Sequence, residues 1–169
     1  MALVKISKGA DIRHEYTDGV SRVPVLEGAY KDAAVERISL QPGAELSPAL
    51  YSKTEHNQVF LITAGKGYIA TPRRVFNITE VSVFVPDFDK EQFTFHCAAD
   101  AKECMEIVHF VTELNDYDKT CLKEAHLTLP RFRGVSQAWH YKEDFTGADI
   151  QQMMMIEHRN LGRLSMGAN

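Results

Sequence analysis

Seven histidines occur in this 169-residue chain, and three of them stand where an imidazole can do chemistry. His109 sits inside the apolar run Ile107-Val108-His109-Phe110-Val111. A lone imidazole there is either a hydrogen-bonded core residue or a ligand and proton carrier. In a strand over residues 93–98, His96 shares a face with Gln92 and Thr94 while Phe93, Phe95 and Cys97 take the other. Such a polar triplet either looks out to water or lines an internal cavity. His56 follows Glu55 just ahead of a strong apolar run, either as a solvated loop residue or as a ligand. Arg73-Arg74 behind Pro72 could clamp a carboxylate or phosphate, or simply form a solvated turn. There is no Gly-x-Ser-x-Gly nucleophile elbow and no Gly-rich phosphate loop.

The composition narrows the setting of that chemistry. A net charge of -4 and a pI near 6.0 leave no clustered basic surface for a nucleic-acid backbone, so nucleic acid is not an expected partner. No stretch approaches the roughly 20 apolar residues of a membrane span, and residues 1–10 have no apolar run of the secretory kind. A cytoplasmic protein without membrane attachment is expected. Cys97, Cys104 and Cys121 are odd in number and lack Cys-x-x-Cys spacing, which speaks against a disulfide framework or a structural zinc and leaves buried or idle thiols.

The elements that must position these residues read as strands. Residues 34–40 (AVERISL) alternate apolar and polar and end at Gln41-Pro42-Gly43. Residues 46–51 make a weaker strand candidate and 58–63 a strong one, apolar on consecutive positions and so buried on both faces. Gly65-Lys66-Gly67 would then turn the chain into residues 67–71 as the return arm of a hairpin. Strands follow at 75–78, 81–85, 93–98 and, longest of all, 104–112. Ahead of them, 4–30 is an irregular lead-in in which Pro24 confines any strand to an edge. Many short strands between Gly, Pro and Asp turns predict an all-β barrel or sandwich.

Residues 41–71 (QPGAELSPALYSKTEHNQVFLITAGKGYIAT) carry more than strand patterning. They resemble the first motif of the cupin superfamily, in which a Gly opens a strand with His-x-His, a Glu follows, and a further Gly closes a turn. Counting back from Gly65 puts Gln58 at the Glu position and Ser52 and Thr54 at the His positions; counting forward from Gly43 puts Ala49 and Tyr51 there instead. The second motif, Pro-x-Gly-x-x-His, resembles residues 86–91, with Phe88 in place of the Gly and Glu91 in place of the His. The resemblance implies a double-stranded β-helix, or jelly roll, over residues 34–115. Residues 1–33 are then a lead-in with an edge strand. Residues 116–169 are a C-terminal extension or the start of a second cupin repeat, since Gly19-Val20-Ser21 recurs as Gly134-Val135-Ser136, Val35-Glu36 as Ile156-Glu157, and Leu46-Ser47 as Leu164-Ser165.

The family's metal ligands would thus be replaced by Ser52, Thr54, Gln58 and Glu91, one carboxylate with neutral oxygen donors, so no metal and no cofactor are expected. What remains is a barrel interior able to bind a small molecule. The expected ligand contacts are Tyr51, Gln58, Glu91 and His96, a set that suits a sugar or sugar acid. Three readings follow. The first is a metal-free binding domain, non-catalytic or part of a larger enzyme. The second is a sugar isomerase or epimerase in which His96 works with Glu91 or Glu55. The third is a structural dimerisation barrel. A homodimer is expected because Ile150, Met153, Met154, Met155 and Ile156 make the extension too apolar to leave in water. The bland alternative is an interior filled by Phe60, Phe84, Phe93 and Phe95, with the polar residues satisfying one another.

Overall fold

In the computed structural model the described residues are 8–25, 27, 32–52, 55–87, 91–116, 119–120 and 129–137. Ten strands follow in order: β1 (Val20–Val25), β2 (Ala33–Leu40), β3 (Glu45–Leu46), β4 (His56–Ala64), β5 (Gly67–Ala70), β6 (Val75–Ile78), β7 (Ser82–Val85), β8 (Thr94–Cys97), β9 (Met105–Glu113) and β10 (Arg131–Gly134). They build a six-stranded sheet, ordered β1-β2-β9-β4-β7-β10, and a four-stranded sheet, ordered β3-β8-β5-β6, antiparallel throughout. Alternation decides what lies between them. Ile38 and Leu40 of β2, Phe60 and Ile62 of β4, Phe84 of β7, Phe95 and Cys97 of β8, and Met105 and Ile107 of β9 form one buried core with Phe93. Phe60, Phe84, Phe93 and Phe95 pack with ring centroids 5.0–6.3 Å apart, so the middle of the jelly roll is filled by aromatic rings.

Pro24 lies in β1, the edge of the larger sheet, where its missing N–H interrupts no second ladder. β10 forms the opposite edge against β7, so the large sheet reaches beyond residues 34–115 on both sides. Gly134-Val135-Ser136 therefore closes the barrel's own sheet, with Val135 N–H bonded to the Val81 carbonyl at 2.8 Å. The other halves of the supposed repeat, at 156–157 and 164–165, lie outside the described residues, as do Thr54, Phe88, Cys121 and the apolar run 150–156.

Two sequence expectations are corrected. The strand expected at 46–51 is only Glu45–Leu46. Pro48 has no N–H to give a ladder, and Ser47 instead pairs its hydroxyl with that of Thr94 at 2.8 Å. The expected hairpin between β4 and β5 does not exist, because the two strands belong to different sheets. The register of β4 against β9 shifts between Ile62 and Ala64, and the chain then crosses from one sheet to the other. Gly65 makes that crossing at φ 89°, where a Cβ would stand 2.5 Å from the Met105 Cα. Gly67 has no positive φ; it is required because a Cβ there would collide with the His96 carbonyl of the neighbouring strand.

Candidate functional site

Register places one end of the barrel. His56 of β4 lies opposite Glu113 of β9, Ala33 of β2 opposite Thr112, and Phe60 of β4 opposite Phe84 of β7. The chain leaving β7 at Val85 thus emerges at the end where β4 begins, together with the β3–β4 connection and the β5–β6 turn. We refer to this end as the mouth.

At the mouth the inner face of the large sheet turns from apolar to polar. Gln58 is two residues from Phe60 on β4, His109 two from Ile107 on β9, and Glu36 two from Ile38 on β2, so all three point inward with the core. Glu36 and Phe60 are the direct register partners of His109 on either side. Gln58 is fully buried and His109 is 3% exposed. His109 Nε2 lies 2.8 Å from Gln58 Oε1, and its Nδ1 2.7 Å from Glu36 Oε1. The imidazole lies flat on the Phe60 ring, 4.2 Å between centroids and 3° between planes. Arg22 of β1 closes the series by donating from Nη2 to Glu36 Oε1 at 2.7 Å and from Nε to Oε2 at 3.1 Å. Burial pushes the Glu36 carboxyl up, but the hydrogen bonds from His109 and Arg22 outweigh it and hold it at about 2. Gln58 Nε2, though buried, has no hydrogen-bond partner among the described residues.

Tyr51, half-buried on the β3–β4 connection, packs its ring 5.4 Å from that of His56 and lies within electrostatic range of Arg22. His56 Nδ1 is a second buried atom without a partner among the described residues. Glu91, on the β7–β8 connection, accepts from Arg73 Nε through Oε1, while its Oε2 is buried with no such partner. Arg73 Nη2 also stands 3.6 Å from the buried Asp87 carboxylate.

Tyr51, Gln58 and Glu91 therefore stand at one end of the barrel, as the sequence reading requires, and His96 does not. On β8 it is Phe95 and Cys97 that enter the core. His96 lies on the outer face of the small sheet, stacked on exposed Tyr68 at 4.3 Å with Nδ1 2.9 Å from Glu45 Oε1. Of the two faces its strand allows, the one turned to water is correct. The acid/base partnership of His96 with Glu91 or Glu55 is not assembled, since Glu91 is engaged by Arg73 and Glu55 by Lys119 at 2.7 Å. Arg22 and Glu36 were missed. Their signal was present in AVERISL, where a carboxylate shares the face of Ile38 and Leu40.

A metal does not fit this donor set. Gln58 brings an amide already tied to His109, Glu91 is engaged by Arg73, and among the described residues no three His, Cys, Asp or Glu side chains are grouped to hold a cation.

A second polar cluster lies on the outer face of the large sheet. Ser21 Oγ is 3.0 Å from His14 Nδ1, and His14 Nε2 is 3.9 Å from Glu106 Oε2, an order of groups reminiscent of a hydrolytic triad. Ser21 is 1% exposed, however, so its hydroxyl is out of a substrate's reach. Glu106 accepts from Ser39 at 2.6 Å and from Arg37 at 3.3 Å, and Tyr16 reaches Ser39 at 2.9 Å. These bonds fasten the segment around His14 and Tyr16 to the sheet. Cys97 and Cys104 are free thiols, and burial pushes the Cys97 thiol up. No helix among the described residues is long and apolar enough to cross a membrane.

No family model matches the sequence, and no curated protein matches it. Solved structures do. KdgF from Halomonas sp. is similar at 11% identity with a TM-score of 0.54, over 68% of this chain and 97% of that one. A predicted oxalate decarboxylase from Thermotoga maritima is similar at 16% identity with a TM-score of 0.52, over 65% of this chain and all of the other. An RmlC-like cupin protein from Desulfovibrio desulfuricans matches at 12% identity and a TM-score of 0.49, over 66% and 97%. Identities this low speak to fold alone. In fold, this chain is a cupin.

Proposed function

We propose that the mouth of the barrel binds a small polyhydroxylated molecule, a sugar or sugar acid, without a metal and without catalysing its conversion. The observation that carries this reading is Gln58, a fully buried amide whose Nε2 has no partner among the described residues. An unpaired buried polar atom costs about 1–3 kcal/mol, so one kept at the mouth points to a hydrogen bond made to something else. Glu91 Oε2 at the same end adds an acceptor to that donor, and Tyr51 adds a hydroxyl on an aromatic face. The aromatic filling of the centre favours a ligand held at the mouth over one enclosed in the middle. Free Cys97 and Cys104 suit a reducing, cytoplasmic setting. The expected assembly is a homodimer.

Titration calorimetry with six-carbon polyols and sugar acids tests this. Gln58→Leu should weaken binding by roughly tenfold or more, the scale of one lost buried hydrogen bond, with an unchanged far-UV spectrum. Equal binding by the folded variant would leave the barrel as a scaffold.

A further inference from the structure

The Arg22–Glu36–His109–Gln58 series does more than fill the mouth, because each hydrogen bond constrains the next. Glu36 is ionised throughout the ordinary pH range and can only accept, so His109 Nδ1 must carry the proton that faces it. That leaves two states for the other ring nitrogen. A neutral His109 presents a lone pair at Nε2, and Gln58 must then offer its amide N–H to the ring and turn its oxygen toward the mouth. A protonated His109 donates from Nε2 to Gln58 Oε1, and the amide N–H is left for a ligand. The structure holds the second arrangement, with Oε1 at 2.8 Å from His109 Nε2 and Gln58 Nε2 without a partner among the described residues.

Charge leads the same way. Arg22 contributes +1, Glu36 -1 and an imidazolium +1, leaving one net positive charge beside a histidine that is 3% exposed. A buried charge of that kind calls for a counter-charge. The groups around the ring are few. Glu36 of β2 touches it with Arg22 of β1 behind, Gln58 and Phe60 of β4 meet its edge and face, and His56 and Glu113 stand opposite each other farther along β4 and β9.

Building on the mouth as the binding site, we propose that its ligand carries a carboxylate received by the Gln58 amide N–H, and that His109 takes up one proton from solvent on Nε2 as the carboxylate binds. The amide turns over with that proton. The same side chain thus offers an acceptor to the mouth before protonation and a donor after it, and a neutral polyol gains nothing from the change.

The test is calorimetry of the whole chain with D-gluconate and with D-glucitol, which differ at one carbon, in phosphate and in Tris at about pH 8, where free imidazole is mostly neutral. Gluconate should bind roughly tenfold or more tighter than glucitol, take up about one proton, and weaken as pH rises. Gluconate binding no tighter than glucitol, or binding without proton uptake, overturns the coupling and leaves the mouth as a polyol site. Binding of neither overturns both readings. Gln58→Glu sets a second carboxylate against His109 and should lower the gluconate-to-glucitol preference by roughly tenfold; an unchanged preference counts against the inference. Should that variant not fold, imidazole nitrogen NMR of the native chain serves instead. His109 should gain an Nε2 proton signal with gluconate and not with glucitol, and its failure to do so again overturns the proposal.

Discussion

At the scale of single residues, Glu36 separates structural from functional charge. Its folded value of about 2 lies below the ordinary 4.5, so its contribution to stability is fully present above the ordinary value and is lost as pH falls through about 2. The size is on the order of 2–3 kcal/mol at neutral pH. Glu36→Gln should therefore lower stability by about that amount at pH 7 and flatten the loss between roughly pH 4.5 and 2, as urea unfolding across that range can check. His96 offers the contrasting case. Its stacking on Tyr68 and its pairing with Glu45 are on the outer face, so His96→Ala should leave sugar-acid binding unchanged and lower stability by only about 0.5–1 kcal/mol in the same assay.

At the scale of elements, the most sensitive position is where β5 lies against β8. A methyl group at Gly67 would have to displace the His96 carbonyl, so Gly67→Ala should cost at least about 2 kcal/mol in chemical denaturation. The strands themselves were legible because 34–40, 75–78 and 104–112 carry their burial pattern locally, in alternation and in turn residues. The partner of each strand was not. Gly65-Lys66-Gly67 looks like a hairpin turn in sequence and is a crossing between sheets, a difference made by β9 and β8, some 40 and 30 residues farther on. The site divided in the same way. Gln58 and Tyr51 could be found by counting from glycines within one segment, whereas Glu36 and His109 meet across 73 positions of sequence. Nothing in the sequence of either strand states that they adjoin. His96 failed for a subtler reason: alternation tells which residues share a face and leaves open which face is inside.

At the scale of the whole molecule, the apolar run at 150–156 sets the expected assembly. A chain ended at residue 143 should change its mass in multi-angle light scattering or precipitate, and a soluble truncation of unchanged mass would remove the case for a dimer built on that run. The sheet order carries a separate consequence, in time. Only β1 with β2 and β5 with β6 pair as sequence neighbours, whereas β9 joins β2 and β4 from some 70 and 50 positions away. Loop closure over such distances precedes any contact it brings, which places folding in the millisecond-to-second range common to β barrels. On the ribosome, neither β2 nor β4 has its partner until β9 has emerged. The chain thus travels through most of its synthesis with two apolar strands unpaired, and chaperone dependence during expression should fall sharply once residue 113 is clear of the exit tunnel.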